Sequence, residues 1–213
     1  GNLAKIPTDG IPPFIFYMAG TVIWGFFATC LLSTSKIFVE NSDIFGKVYF
    51  PRLVVPIAMI ANSFLQFLTQ FIIFLIFFIY YSFGNDDIFL NYKIIYLPFL
   101  ILYCSLIGLA FGLLFSSFTA KYRDLVFVLS FGVQIWMYIT PVVYPLSLIP
   151  DNYKLFVLLN PMTSVVELFK SIFFNTNSIS IFDFTVSFIV TLIIFCLGFF
   201  RFVKTERNFI DTV

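Results

Sequence analysis

Long apolar runs separated by short polar clusters dominate this chain. A helix that crosses a bilayer needs about 20 predominantly apolar residues. Five stretches qualify: 13–35, 53–82, 94–118, 125–145 and 184–200. The second is long enough to tilt, and the last sits at the lower limit. The expected fold is an all-α, polytopic transmembrane helix bundle. Between 146 and 180 the pattern changes. Leu155 to Leu159 is apolar, Asn160-Pro161 interrupts, and Val165, Leu168, Phe169 and Ile172 then recur at helical spacing. Asn160 suits a helix N-cap and Pro161 the first helical position. Glu167 and Lys170 are assigned to the opposite face. Neither piece is long enough to span, so the segment reads as a re-entrant or interfacial hairpin. Irregular backbone at membrane depth is tolerated only against protein or a water-filled cavity. The hairpin is therefore a candidate cap on the outer mouth of a conduit. An interfacial helix pair with no gating role is the plainer alternative.

The segments between spans fall on two alternating sides. One holds Lys36, Lys47, Arg52, Lys121, Arg123, Arg201, Lys204 and Arg207, which makes 8 basic residues; the other holds Lys5, Lys93, Lys154 and Lys170, which makes 4. The excess of Lys and Arg puts the first side in the cytoplasm, with the N-terminus outside and the C-terminus inside. Residues 1–12 then form a polar outside segment with no signal peptide to export it. The expectation is a parent with six spans, five of them present here.

None of the five spans has Asp, Glu, Lys or Arg in its interior. Intramembrane charges usually mark proton relays and ion-coupled transport. Their absence argues against a proton-driven transporter and against a membrane-embedded acid/base enzyme. The interior polar groups are Asn62, Gln66, Gln70 and Gln134. The first three are spaced by four and share a helical face. They serve either interhelical hydrogen bonding, worth about 0.6–2 kcal/mol each, or a polar stripe along a path. Tyr17, Trp24, Tyr80, Tyr81, Tyr92, Tyr96, Trp136, Tyr138 and Tyr144 fit an interfacial aromatic belt, or else aromatic faces along which sugar rings slide.

Two connections on the basic side stand out. In 36–52, Asn41, Ser42 and Asp43 supply N-cap chemistry for a short helix and Pro51 stops it. Ile44, Phe45, Val48 and Tyr49 give that element an apolar patch beside Lys47 and Arg52. It either rests on lipid headgroups or inserts into a groove on a cytoplasmic partner. The tight connection Ser116 to Asp124 is a charged turn or a second, smaller partner contact, with Asp124 placed to pair with Lys121 or Arg123.

Composition narrows the function. Hydrophobic residues make up 61% and charged residues 11%, against about 25% charged in a soluble domain. A soluble, disordered or disulfide-rich secreted chain is excluded. The net charge of +1 gives no electrostatic case for nucleic acid. Histidine is absent, which removes the commonest general base and metal ligand. Cys30, Cys104 and Cys196 each sit in apolar runs as small hydrophobes. Asp86-Asp87 is a weak candidate acidic pair with no third ligand close in sequence. No GxxxxGK[ST] loop occurs, so ATP hydrolysis is not expected in this chain.

Several segments resemble type-2 ABC transporter permeases that export polysaccharides. GKVYFPRLVVPIA at 46–58 is similar to their cytoplasmic loop and third span. LAKIPTDGIPPFIFYMAGTVIWGFF at 3–27 resembles the first outside loop and second span, and KYRDLVFVLSFGVQIWMYITPVVYP at 121–145 the fifth span. LNPMTSVVELFK at 159–170 and KTERNFIDTV at 204–213 resemble the family's NPM segment and cytoplasmic tail. The resemblance implies one permease domain over 1–213, a six-span homodimer, and two ATPase subunits that bind ATP and magnesium. The cargo would be a lipid-linked glycan such as O-antigen (lipopolysaccharide), capsule or teichoic acid precursor, exported across a bacterial inner membrane. Ile44, Phe45, Gly46, Lys47, Val48, Tyr49, Phe50, Pro51 and Arg52 would form the coupling helix. Lys121, Tyr122, Arg123 and Asp124 would form the second cytoplasmic contact. Tyr144, Pro145, Asn160, Pro161, Met162 and Glu167 would belong to the outer gate. Trp24, Asn62, Gln66, Gln70, Gln134, Trp136 and Tyr138 are candidates for lining the path. No cofactor, metal or catalytic residue is expected. The rivals are a type-2 permease for a drug or lipid, a membrane-embedded glycosyl- or acyltransferase, and a purely structural assembly subunit.

Overall fold

The structure is a computed structural model, and it describes residues 8, 10–40, 54–83, 92–176 and 180–210. Among these every regular element is helical: α1 (Pro13–Ser35), α2 (Ile37–Glu40), α3 (Val54–Ser82), α4 (Leu97–Thr119), α5 (Leu125–Ile139), α6 (Asp151–Leu158), α7 (Pro161–Phe174) and α8 (Ile181–Ile210). Short 3-10 turns precede α4 (Tyr92–Tyr96) and follow α5 (Leu146–Leu148). Among the described residues four helices are long and apolar enough to cross a membrane: Pro13–Ser35, Val54–Ser82, Tyr92–Thr119 and Ile181–Glu206.

Lipid tails are as apolar as leucine, so close packing rather than water exclusion holds such helices together. Small residues provide it. A Cβ added at Gly108 would lie 2.5 Å from Cys30 Cβ, and one at Gly112 2.5 Å from Thr34 Cβ. These glycines let the backbones of α4 and α1 approach. At Gly198 an added Cβ would come within 2.7 Å of the Ala110 carbonyl, so α8 closes on α4 in the same way. Hydroxyls cross these seams as well. Thr119 Oγ1 donates to the Ser35 carbonyl at 2.5 Å, and the Tyr103 hydroxyl lies 2.7 Å from Ser187 Oγ and 3.1 Å from Thr191 Oγ1. Residue numbers rise together along both seams, so α1, α4 and α8 run parallel. In contrast α3 runs antiparallel to α1, with Phe67 against Phe26 at one end and Phe77 against Phe14 at the other. The alternation of sides expected from the charge pattern is thus realised in the helix directions.

Two expected spans are corrected. The stretch 125–145 is helical only over Leu125–Ile139. That is 15 residues, about 22 Å of helix, short of a bilayer core of about 30 Å. Pro141 is the cause: it pushes Thr140 into extended backbone, with ψ of 142°. Residues 140–142 then continue as irregular chain buried by the bundle, the setting in which non-helical backbone inside a membrane is stable. The stretch 184–200 is not marginal: its helix is 30 residues long. Ser180 and Asp183 start it early. Ser180 N and Oγ donate to Asp183 Oδ2 at 3.1 and 2.8 Å, and Asp183 N donates back to Ser180 Oγ at 3.2 Å, a reciprocal capping arrangement. Replacing Ser180 with Ala is expected to destabilise the protein by about 1 kcal/mol, seen as a small loss of thermal stability in detergent with the helical circular dichroism intact.

The α6–α7 pair bends by 93°, as the interrupted pattern at Asn160-Pro161 requires. Asn160 Oδ1 accepts from Met162 N at 3.2 Å and Pro161 opens α7. Asn175, left-handed at φ 53°, closes it. Phenylalanines of α3 seat α7 in the bundle: Phe74 and Phe78 lie 4.9 and 5.2 Å from Phe173, and Phe74 5.8 Å from Phe169.

Candidate functional site: a buried gate helix and an open polar face

The expected gate residues come together around the break after α5. Asn160 Nδ2 donates to Thr140 Oγ1 at 2.8 Å, tying the start of α7 to the end of α5. Thr163 Oγ1 donates to the Val157 carbonyl at 2.6 Å, and the Pro161 carbonyl accepts from Ser187 Oγ at 3.2 Å. Pro145, Pro161 and Met162 are buried. Tyr144 turns its hydroxyl back to the Ile139 carbonyl at 2.9 Å.

Glu167 and Lys170 do not occupy an outward polar face. Glu167 is 4% exposed and Lys170 1%. Lys170 Nζ donates to the Pro141 carbonyl at 2.6 Å and reaches the Tyr144 carbonyl at 3.4 Å. It also lies 3.9 Å from the centre of the Phe16 ring and 3.6 Å from Glu167 Oε1. A proline break leaves carbonyls without helical donors, and a buried ammonium needs partners. Each supplies the other's need. The face of α7 that the pattern reads as outward is covered by segment 140–145 and by α1. Charge is confined to the ends of the spans but present inside the bundle, on a helix too short to span.

Sequence reasoning counted Lys170 among outside charges and missed its role. Thr140 and Pro141 were missed as well. The available signal was Thr-Pro inside an otherwise apolar run, followed later by a Glu–Lys pair spaced by three on a helix with few other charges.

The proposed path residues divide. Trp24 is 4% exposed and lies among Trp136 (6.0 Å), Phe27 (5.1 Å) and the helices that carry them. Trp136 also contacts Phe111 at 4.8 Å. These rings fasten α1, α4 and α5 together; Trp24 presents no face to a path within one copy of the chain. Asn62, Gln66 and Gln70 are all exposed along one side of α3, while Ser63 beside them is buried 3.4 Å from Ser33 Oγ. Gln70 leans over Gly25, its Oε1 3.2 Å from where a Cβ there would stand. Exposed Thr21 lies one turn further along α1. Gln134 and Tyr138 are exposed on α5, of which only Val133 is buried.

At the other end of the bundle Lys121, Tyr122, Arg123 and Asp124 are all exposed on the tight α4–α5 turn. Lys121 Nζ sits 5.2 Å from the centre of the Tyr122 ring. Among the described residues Asp124 forms no ion pair with Lys121 or Arg123, so the pairing expected there is not made. The coupling-helix residues 44–52 and the pair Asp86-Asp87 lie outside the described residues.

The described residues thus form a helical bundle with a bent helix pair at one end, of which α7 is buried and α6 largely exposed. The chain belongs to the ABC-2 type transporter family, whose profile matches residues 3–174. It is a membrane transport subunit of that class and not itself an enzyme. It is 27% identical, over 78% of this chain and 64% of the relative, to the O-antigen export system permease protein RfbA of Myxococcus xanthus. Two proteins of that name from Klebsiella pneumoniae are 24% and 26% identical, over 76% and 84% of this chain and 61% and 69% of their own lengths. The chain therefore spans under two thirds of the length of the first two relatives.

Proposed function

We propose that this chain is the membrane-spanning part of an exporter that moves a lipid-linked polysaccharide outward across a bacterial inner membrane. The similarity to three permeases named for O-antigen export carries the reading. The geometry supports it. A glycan needs a wettable surface, and the exposed Asn62, Gln66 and Gln70 of α3 provide polar groups for one. A second copy of the chain would face that surface and complete the conduit, with the buried α7 and the 140–145 segment as its outer gate. Two separate ATPase subunits would bind ATP and magnesium and dock on the basic side, at residues 44–52 and at the turn Lys121, Tyr122, Arg123 and Asp124. The excess of Lys and Arg on that side supports a cytoplasmic position for it and for the C-terminus.

The test is complementation of a strain lacking the permease gene, scored by polysaccharide at the cell surface. The gene restores surface polymer, and a Gln66→Leu, Gln70→Leu double variant lowers its rate of appearance about tenfold, equivalent to about 1.4 kcal/mol on the crossing step. Binding of the ATPase stays unchanged. Restored resistance to a drug with no surface polymer would favour a different cargo.

A further inference from the structure

Three buried hydroxyls meet where α4, α7 and α8 join. Tyr103 stands on α4, and Ser187 and Thr191 lie one turn apart on α8. Tyr103 is 3% exposed and the other two are 0%. The rings of Phe184 and Phe188, centred 5.2 and 5.9 Å from that of Tyr103, make the surroundings apolar. An unpaired hydroxyl is costly there, so the direction of each hydrogen bond has consequences.

Four contacts lie within hydrogen-bond reach. Ser187 Oγ is 3.2 Å from the carbonyl of Pro161, the first residue of α7. Thr191 Oγ1 is 2.9 Å from the Ser187 carbonyl, and the Tyr103 hydroxyl is 2.7 Å from Ser187 Oγ and 3.1 Å from Thr191 Oγ1. A hydroxyl carries one proton, so three protons serve four contacts and one contact always goes without. Two arrangements follow, and in both Thr191 donates to the Ser187 carbonyl. In the first, Ser187 donates to the Pro161 carbonyl and Tyr103 donates to Ser187, which ties the start of α7 to α4 and α8. In the second, Ser187 donates to Tyr103 and Tyr103 donates to Thr191. Every hydroxyl still donates, and nothing is given to α7. The Pro161 carbonyl keeps the amide four residues on in its own helix. Turning two O–H bonds therefore frees α7 from this seam with no buried group left unpaired. The docked position is also not fully satisfied. Ser164 Oγ, on the first turn of α7, is buried with no hydrogen-bond partner among the described residues, a sign of strain held in the seated helix.

We infer that Tyr103, Ser187 and Thr191 form a two-position hydroxyl latch for α7, positioning residues that hold the helix in the first arrangement and release it in the second. The inference rests on the reading of α7 as a gate. It adds the device by which a buried gate helix leaves its seat without stranding a polar group.

The experiment uses the purified permease in detergent, with Ser164→Cys as the reporter because position 164 is 0% exposed while α7 is seated. Reaction of that thiol with a charged maleimide is followed by peptide mass, and circular dichroism checks that each variant is folded. Ser187→Ala removes the donor to Pro161 and is expected to speed labelling about fivefold, the weight of one hydrogen bond. Tyr103→Phe and Thr191→Val each remove an acceptor that only the released arrangement uses, so each slows labelling by a similar factor. The opposite signs separate a latch from a merely structural role, in which every lost hydroxyl loosens α7 and speeds labelling. Faster labelling in all three variants, or an unchanged rate in Ser187→Ala, overturns the inference. If Ser187→Ala does not fold, the other two decide: slower labelling supports the latch, and an unchanged or faster rate overturns it. Polysaccharide export by the same variants tests the gate reading separately, since opposite labelling shifts with export unchanged leave the latch standing and remove α7 from the gate.

Discussion

Replacing Lys170 with Met is expected to destabilise the protein by about 3–5 kcal/mol, the usual consequence of removing one member of a buried ion pair. The magnitude follows from the burial: Lys170 is 1% exposed and its ammonium serves the Pro141 and Tyr144 carbonyls, the Phe16 ring and Glu167 together. Met keeps the length and loses every one of these. The loss is local before it is global. Segment 140–145 is held to α7 through this ammonium and through Asn160 on Thr140, so the gate loosens first. Thermal unfolding in detergent measures the overall cost. A cysteine accessibility assay at position 142, buried in the native chain, reports the opening. Adding Glu167→Gln to Lys170→Met removes the remaining charge and is expected to return part of the stability. If the single variant unfolds like wild type, the clamp carries no weight.

Gly108→Leu is expected to separate α1 from α4 and to destabilise the bundle by about 3 kcal/mol, at the upper end of overpacking effects. The added side chain meets Cys30 Cβ first and then Leu31 N and the Phe27 carbonyl, each at 3.4 Å from the added Cβ. Backbone stands behind every contact, so no rotamer change relieves them. Gly132→Leu is the control: an added Cβ there meets nothing within 4 Å. A lower yield of folded protein and a lower Tm for Gly108→Leu, with neither for Gly132→Leu, is the predicted pair of results.

Local pattern was enough for much of this architecture. The apolar run at 13–35 coincides with α1 (Pro13–Ser35), where Pro13 starts the helix, and 53–82 matches α3 to within a residue. Asn160 and Pro161 announce the start of α7 because a cap is a property of neighbouring residues. What the pattern missed is nonlocal. Counting hydrophobicity through Thr140-Pro141 hides the break in α5, since proline there is compatible with an apolar environment but not with the hydrogen-bond ladder. A helical projection puts Glu167 and Lys170 opposite the apolar stripe but says nothing of what covers that side. The cover comes from Phe16 and from 140–145, distant in sequence. The same limit applies to aromatics. Trp24 and exposed Tyr138 carry the same signal in the chain, and only packing assigns one to the core and the other to the surface. The stripe Asn62, Gln66 and Gln70 was legible as one face; its openness was not.

The proposed export is measured most directly by reconstituting the permease with the proposed ATPase subunit in liposomes that carry a lipid-linked polysaccharide on the ATPase-exposed side. The expected result is ATP-dependent transfer of the polymer to the opposite side, lost when the ATPase is inactivated and slowed about tenfold by the Gln66→Leu, Gln70→Leu change. ATP turnover with no polymer crossing, from a complex that instead moves a small drug or a free lipid, would contradict it.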